Sequence, residues 1–473
     1  MICNYIIVVN LHVNSKKMVK NKINYWFYGL IIIVIGIVFL LKSSLFNNSI
    51  FFEEKYYSID ASQQESCLGC HQNTKGYSDY HNPELIGCAS CHLGNTTTFN
   101  KMESHKGMVL IPGNLVDAKM TCGKCHIDEL HKIENSLMTT NSGLVAVDKY
   151  IFGEADSPNH QYHIQLIQNS ASDKHIRDLC ANCHLGAEKK EFGAITQLSR
   201  GGGCNACHLN YTSQAKSDLE TYLTSNKKRI PEFHPSTDIF VTNEHCFGCH
   251  SRSSRISTNY EGFQETLLDE SEINGKAGYR VIEDKRVYEF VESDVHHTKG
   301  LLCIDCHTSH EVMGDGIKYA HEEQAVKIQC SDCHFKDTPK TISYDSLDTE
   351  SLKVYLLRDY THSDKSMIAV KKSGHPLVNT FIDSVGNAFL IGKGDGKIHT
   401  LNKQSEVCSR DNAHQAMACA TCHSSWTSKC IGCHNQFDEN EPRAFDLLDK
   451  KYGKGQWKEF VSEFGHSKSA LGV

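Results

Sequence analysis

Residues 419–434 read CATCHSSWTSKCIGCH, in which a cysteine is twice followed, after two residues, by a second cysteine and at once by a histidine. The same five-residue pattern recurs as CLGCH at Cys67, CASCH at Cys88, CGKCH at Cys122, CANCH at Cys180 and CNACH at Cys204. It continues as CFGCH at Cys246, CIDCH at Cys303 and CSDCH at Cys330, before CATCH at Cys419 and CIGCH at Cys430. The cysteines involved are Cys67, Cys70, Cys88, Cys91, Cys122, Cys125, Cys180, Cys183, Cys204, Cys207, Cys246, Cys249, Cys303, Cys306, Cys330, Cys333, Cys419, Cys422, Cys430 and Cys433, twenty of the 22 in the chain. At the Cys and His frequencies of this sequence chance supplies about 0.06 such matches, so ten are a designed repeat.

A short turn carrying two thiols and an imidazole is what covalent attachment of one porphyrin requires, because the thiols reach its two vinyl groups while the imidazole turns onto its iron. A single copy would equally describe half of a zinc site or a thioredoxin-like redox pair. Ten copies do not, and a disulfide scaffold has no use for the fixed histidine. The sequence therefore predicts ten covalently bound haem c groups, with iron held on one side by His71, His92, His126, His184, His208, His250, His307, His334, His423 and His434.

Eighteen of the 28 histidines remain, enough to close the second face of every iron. His81, His175, His297 and His414 each precede a motif by four to six residues, a placement suited to a ligand for a neighbouring haem. With His105, His131, His245, His310, His321 and His375 they form the expected set of distal ligands, while His160, His163, His234, His296, His362, His399 and His466 are the surplus. Ligation by two histidines lowers the potential relative to Met/His and leaves no open position for a substrate. Cys408 is the one unpaired thiol beyond residue 42, read as a buried or capped cysteine or, alternatively, as an axial thiolate.

Ten cofactors within residues 67–434 leave about 37 residues each, too few for an ordinary core between neighbours. The expected fold is mainly α with much irregular structure, the haems forming the core, preceded by one N-terminal transmembrane helix. Residues 1–42 are read as a cytoplasmic N-terminus and membrane anchor, 43–340 as a haem domain with eight motifs, and 341–405 as a haem-free insert. The insert contains KKSGHP and an alternating apolar stretch over residues 381–390, which suggests a hairpin or a docking loop. Residues 406–434 carry the last haem pair, and 435–473 are predicted as an amphipathic helix because Phe445, Leu447, Leu448, Tyr452, Trp457, Phe460, Val461 and Phe464 recur at helical spacing. Gly201, Gly202 and Gly203 mark a place where backbone approaches a porphyrin face or a flexible turn.

The anchor is residues 25–41, YWFYGLIIIVIGIVFLL, uncharged throughout; as a helix they span about 26 Å against a hydrocarbon core of about 30 Å. Lys16, Lys17, Lys20 and Lys22 precede it, which predicts a cytoplasmic amino terminus, a single pass through the inner membrane and a periplasmic haem domain. No small-residue cleavage site follows, so a retained anchor is preferred to a removed signal peptide. Met18 offers a second reading of the start, which would leave out Cys3 and His12. The polypeptide carries a formal charge of −7, and haem propionates make the whole more acidic. This excludes nucleic acid as a natural partner and favours one with a basic docking face.

The motif set resembles the periplasmic multihaem cytochromes c. RGGGCNACH, DVHHTKGLLCIDCHTSHEVMGDG and HQAMACATCHSSWTSKCIGCH look like membrane-anchored bacterial cytochromes of eight to ten haems. The resemblance implies haem binding and electron transfer between quinol or a membrane redox complex and periplasmic electron-transfer proteins. Multihaem nitrite reductases usually carry a CxxCK motif, and none occurs here. The alternative function is an oxidoreductase acting on a small nitrogen or sulfur species at one open haem.

Overall fold

The computed structural model describes residues 65–226, 230–252, 255–409, 417–423 and 433–461. Within it most motifs are single helical turns: Ser66–Cys70, Ala89–His92, Asn205–His208, Cys303–Cys306 and Cys330–Cys333, with tighter turns at Cys122–Lys124 and Cys419–Thr421. In a turn of this pitch, positions i, i+3 and i+4 share one face, so both thiols and the imidazole point the same way. The histidine N–H closes the turn on the carbonyl of the first cysteine, at 2.8 Å from His71 to Cys67 and 2.9 Å from His126 to Cys122.

A mainly helical chain whose core is made by porphyrins is not what these residues build. The described residues are 36% helix and 14% strand, and they form five separate antiparallel sheets and five clusters of buried apolar side chains. Counting residues per cofactor missed this because apolar residues are concentrated in the intervals between motifs.

The largest sheet occupies the insert, residues 341–405, as a five-stranded meander in the order Ile398–Thr400, Ala388–Ile391, Pro376–Ile382, Ser366–Ala369, Thr341–Ile342. Side chains alternate across it, as strand geometry requires. Met367 and Val378 face the helix Thr349–Leu357 and pack on Tyr355. Ile368 and Leu377 face the other way, onto Phe335 and Cys333 beside the motif histidine His334. Both faces are therefore buried.

Two carboxylates tie this sheet to motifs. Asp305 and Asp332, the residues before the second cysteines of CIDCH and CSDCH, are each 1% exposed. One oxygen of each accepts from the backbone N–H at the start of its own turn, Leu302 at 2.7 Å and Gln329 at 2.8 Å. The other accepts from sheet backbone, Lys393 at 2.7 Å and Lys371 at 3.0 Å. A smaller sheet of Phe263–Glu265, Val287–Phe290 and Tyr279–Val281 supports CFGCH by apolar packing instead, with Tyr288 and Ile282 on Phe247 of that motif.

The glycines of RGGGC serve a backbone crossing. Gly203 has φ +55°, and a Cβ there would lie 2.3 Å from the carbonyl oxygen of Gly113, whose oxygen accepts from Cys204 N–H at 2.8 Å. The crossing hangs the CNACH turn on the segment before CGKCH.

The amphipathic helix expected over residues 435–473 is not formed by the described part of that segment. Instead Cys433–Asp438 pairs with Gln456–Val461, and Ala444–Asp446 with Lys451–Gly453. The apolar spacing fitted a helix, but Gly453 and Gly455 interrupt it, and Leu447 and Leu448 are drawn onto the buried cluster of Val145, Ile164 and Ile176. This ribbon lies on the helix Ala171–Leu179 that leads into CANCH: Arg177 pairs with Asp446 at 2.9 Å, and Asp178 accepts from Trp457 N–H at 2.9 Å.

At the start of that helix Glu154 accepts from both serine hydroxyls, Ser170 at 2.5 Å and Ser172 at 2.6 Å, and from Ser172 N–H at 3.0 Å. Burial alone would raise its pKa, but these donors and Lys149 outweigh it and hold the carboxyl down to about 2. A folded-state value below the unfolded one gives stability that is full above about pH 4.5 and lost as pH falls towards 2. Glu154→Gln is expected to cost about 1–2 kcal/mol at pH 7 and to flatten the acid limb of the melting temperature, read by thermal melts between pH 7 and pH 3.

The single-pass inner-membrane placement is corrected as well. No helix among the described residues is long and apolar enough to cross a membrane, the longest being Ser213–Thr224 with 12 residues. Residues 25–41, on which that placement was based, lie outside the described residues.

Candidate functional site

Four motif histidines each face a second imidazole across a similar gap. Ring centroids are 6.3 Å apart for His71 and His105, 5.8 Å for His92 and His234, 6.2 Å for His126 and His81, and 6.0 Å for His334 and His296. These rings are too far apart to stack. A metal with an imidazole nitrogen at about 2 Å on either side places the ring centroids about 6 Å apart.

Six of these eight rings have the outer nitrogen fixed by the fold, and so does the motif histidine His208. On the motif side, Nδ1–H of His92 donates to Val109 C=O at 2.8 Å, that of His208 to Asp238 C=O at 2.7 Å, and that of His334 to Asn402 C=O at 2.8 Å. On the facing side His81 donates to Thr237 C=O at 3.1 Å, His105 to Lys101 C=O at 2.8 Å, His234 to Pro235 C=O at 2.6 Å, and His296 to the Asp294 carboxylate at 2.8 Å. A histidine whose Nδ1–H is committed in this way presents Nε2 as a lone pair, the arrangement that metal-ligating histidines adopt. Burial lowers the pKa of His71, with His105 adding to the effect, and pushes both His184 and His234 down to about 4. These imidazoles are therefore neutral, the form that binds a metal.

Thiols of different motifs lie close to one another. Cys122 and Cys204, Cys183 and Cys249, Cys246 and Cys303, and Cys330 and Cys419 are near enough for each thiol to shift the other's ionisation. Cys67 lies within electrostatic reach of Cys88, Cys91 of Cys122, Cys207 of Cys246, and Cys306 of Cys333. In space the motifs thus run 67, 88, 122, 204, 246, 303, 330, 419, and the motif at Cys180 joins beside Cys249. Asn435, next to His434, donates to His175 Nε2 at 3.0 Å, on the helix preceding Cys180.

Of the distal set expected from sequence, His81 and His105 face motif imidazoles, and His245 lies within electrostatic reach of His208. His175 donates to Asp148 at 2.9 Å and abuts Trp457, His297 packs on Tyr260, and His321 contacts Pro158 C=O at 2.8 Å. His131 bonds to Asn135 within its own helix, Ile127–Asn135. His310 and His375 stack on each other, and His414 lies outside the described residues. His234 and His296, counted as surplus, are the ones that face His92 and His334. His163, also surplus, acts on His184 and borders an open cavity of about 720 Å³ lined by Tyr162, Ile167 and Lys318. Cys408 is exposed rather than buried.

The residues present suit covalent haem. The motifs that form a helical turn offer two thiols and an imidazole on one face, and four of them have a second imidazole at the spacing that an intervening iron would need. Comparison with protein-family models, with curated proteins and with solved structures returned no match.

Proposed function

We propose that the chain binds ten haem c groups and serves as an electron-transfer protein, a multihaem cytochrome c. The observation that carries this reading is the set of four facing imidazole pairs, 5.8–6.3 Å apart, each with a motif histidine on one side. Haem would supply the Fe(III)/Fe(II) couple. The chain's own residues do the rest: cysteine pairs fix each porphyrin, the motif histidine and its partner close both axial positions, and carbonyl-anchored Nδ1–H groups hold the imidazoles in register. Closure of both positions favours electron transfer over substrate chemistry. The near-continuous run of motifs supports the reading further, since tunnelling between cofactors demands short steps. Donor and acceptor are other electron carriers.

Intact mass under denaturing conditions, with iron content per chain, tests the proposal. Ten haems retained on the 53.1 kDa polypeptide are expected, and a chain that retains none would overturn it. Electron paramagnetic resonance of the oxidised protein then separates carrier from catalyst. All irons are expected to be low-spin and indifferent to nitrite, hydroxylamine and tetrathionate; a high-spin iron converted by one of these would move the function to catalysis.

A further inference from the structure

His310, Asp348 and His375 come from three separate segments and bring their ligand atoms within 4.8 Å of one another. His310 lies on the turn Ser309–Val312, just after the CIDCH motif. Asp348 caps the helix Thr349–Leu357, accepting from Ser351 N–H at 3.0 Å. His375 opens the strand Pro376–Ile382, after Gly374 with φ +80°. His310 Nε2 lies 3.2 Å from an Asp348 oxygen, and its Nδ1 lies 3.6 Å from Glu350. Glu350 is 7% exposed; one of its oxygens is held by Lys132, while Oε1 is buried with no hydrogen-bond partner.

These two imidazoles do not share a haem. Their centroids are 3.9 Å apart with the planes 12° from parallel, so no porphyrin fits between them, unlike the pairs near 6 Å. What surrounds them is suited to a small cation instead. Two carboxylates face one lysine, one carboxylate oxygen lacks a donor, and two imidazoles with a carboxylate are the borderline donor set that zinc and its neighbours take, with a position left over.

We propose that His310, Asp348 and His375 bind one divalent transition cation, best matched by Zn²⁺, with Glu350 at the open side. Binding swings the stacked rings apart until one nitrogen of each points at the ion. The cation then clamps the insert, through its helix and its central strand, to the segment that follows Cys303 and His307. The site stands independently of the electron-transfer reading.

The test uses full-length, haem-loaded protein, its free thiols alkylated, stripped with EDTA and titrated with Zn²⁺ against a chromophoric chelator. One site per chain is expected, at least about tenfold tighter than scattered surface histidines. His375→Gln and Asp348→Asn should each weaken it by about tenfold or more, and the melting temperature of wild type, but not of either variant, should rise with zinc. Haem content and spin state should stay unchanged in both variants. Absence of the tight site in wild type overturns the proposal, and so does conversion of a low-spin iron to high-spin in His375→Gln. Iron and zinc are counted separately: a chain with haem but no tight zinc sinks the cation site alone, and a chain with zinc but no haem sinks the cytochrome alone.

Discussion

Replacing His234 or His296 by alanine is expected to turn one low-spin iron in ten high-spin while leaving haem content unchanged. On the proposed reading, the cysteines that would hold each porphyrin and the histidine that would bind its iron belong to the motif and stay in place. The imidazoles across the gap, 5.8 Å from His92 and 6.0 Å from His334, do not. Removing either leaves its iron five-coordinate, so a new site for carbon monoxide or cyanide should appear at a stoichiometry of one per chain, with a raised potential for that haem. His160→Ala is the silent comparison, since that ring is exposed and pairs with Asp156 at 2.6 Å. Low-spin spectra that persist in both His234→Ala and His296→Ala would reject the facing pairs as ligands.

Asp305→Ala is expected to cost about 3–4 kcal/mol of stability and to lower haem occupancy at Cys303 and Cys306. The Asp305 carboxylate is 1% exposed and satisfies Leu302 N–H and Lys393 N–H, both at 2.7 Å, and the Asn379 amide at 3.2 Å. Each buried donor left unpaired costs roughly 1–3 kcal/mol, which puts the substitution among the severe ones. Asp305→Asn keeps one acceptor but turns an amide N–H towards donors, so an intermediate loss is expected. Asp332→Ala should behave similarly, because Gln329 and Lys371 depend on it in the same way. Denaturant melts with haem quantified on the same samples check both effects, and a loss below about 1 kcal/mol in Asp305→Ala would show that the sheet does not hold the motif.

The motifs were legible in the sequence because their chemistry is local: i, i+3 and i+4 on one turn need no information from elsewhere. The distal partners were not. His234 lies 142 positions from His92, and nothing near it in sequence marks it as a ligand. At His296 and His297 the sequence gives two adjacent candidates. Asp294 decides between them by capping the turn and taking Nδ1–H of His296, while His297 packs on Tyr260. Closeness to the next motif was therefore a poor guide, as His175 and Trp457 also show. The meander's alternating apolar residues were visible over residues 381–390, but the sheet's part in holding CIDCH and CSDCH rests on the acidic residue within each motif, a signal read only as spacing. The terminal segment was misread because the spacing of its apolar residues was taken without Gly453 and Gly455, which interrupt it.

The touching thiols have a bearing on biosynthesis. Cys122 meets Cys204, Cys183 meets Cys249, and Cys246 meets Cys303, each from a different motif. A chain that reached this arrangement with those sulfurs still vacant would be primed for cross-links between motifs, and each such disulfide would shut two attachment points at once. On the proposed reading maturation would have to keep ahead of collapse, with thioether formation on the earlier motifs preceding the arrival of the later ones and a reductant guarding whichever thiols still wait. Yield in a producing cell would be governed less by the stability of the finished protein than by the race between porphyrin delivery and sulfur oxidation.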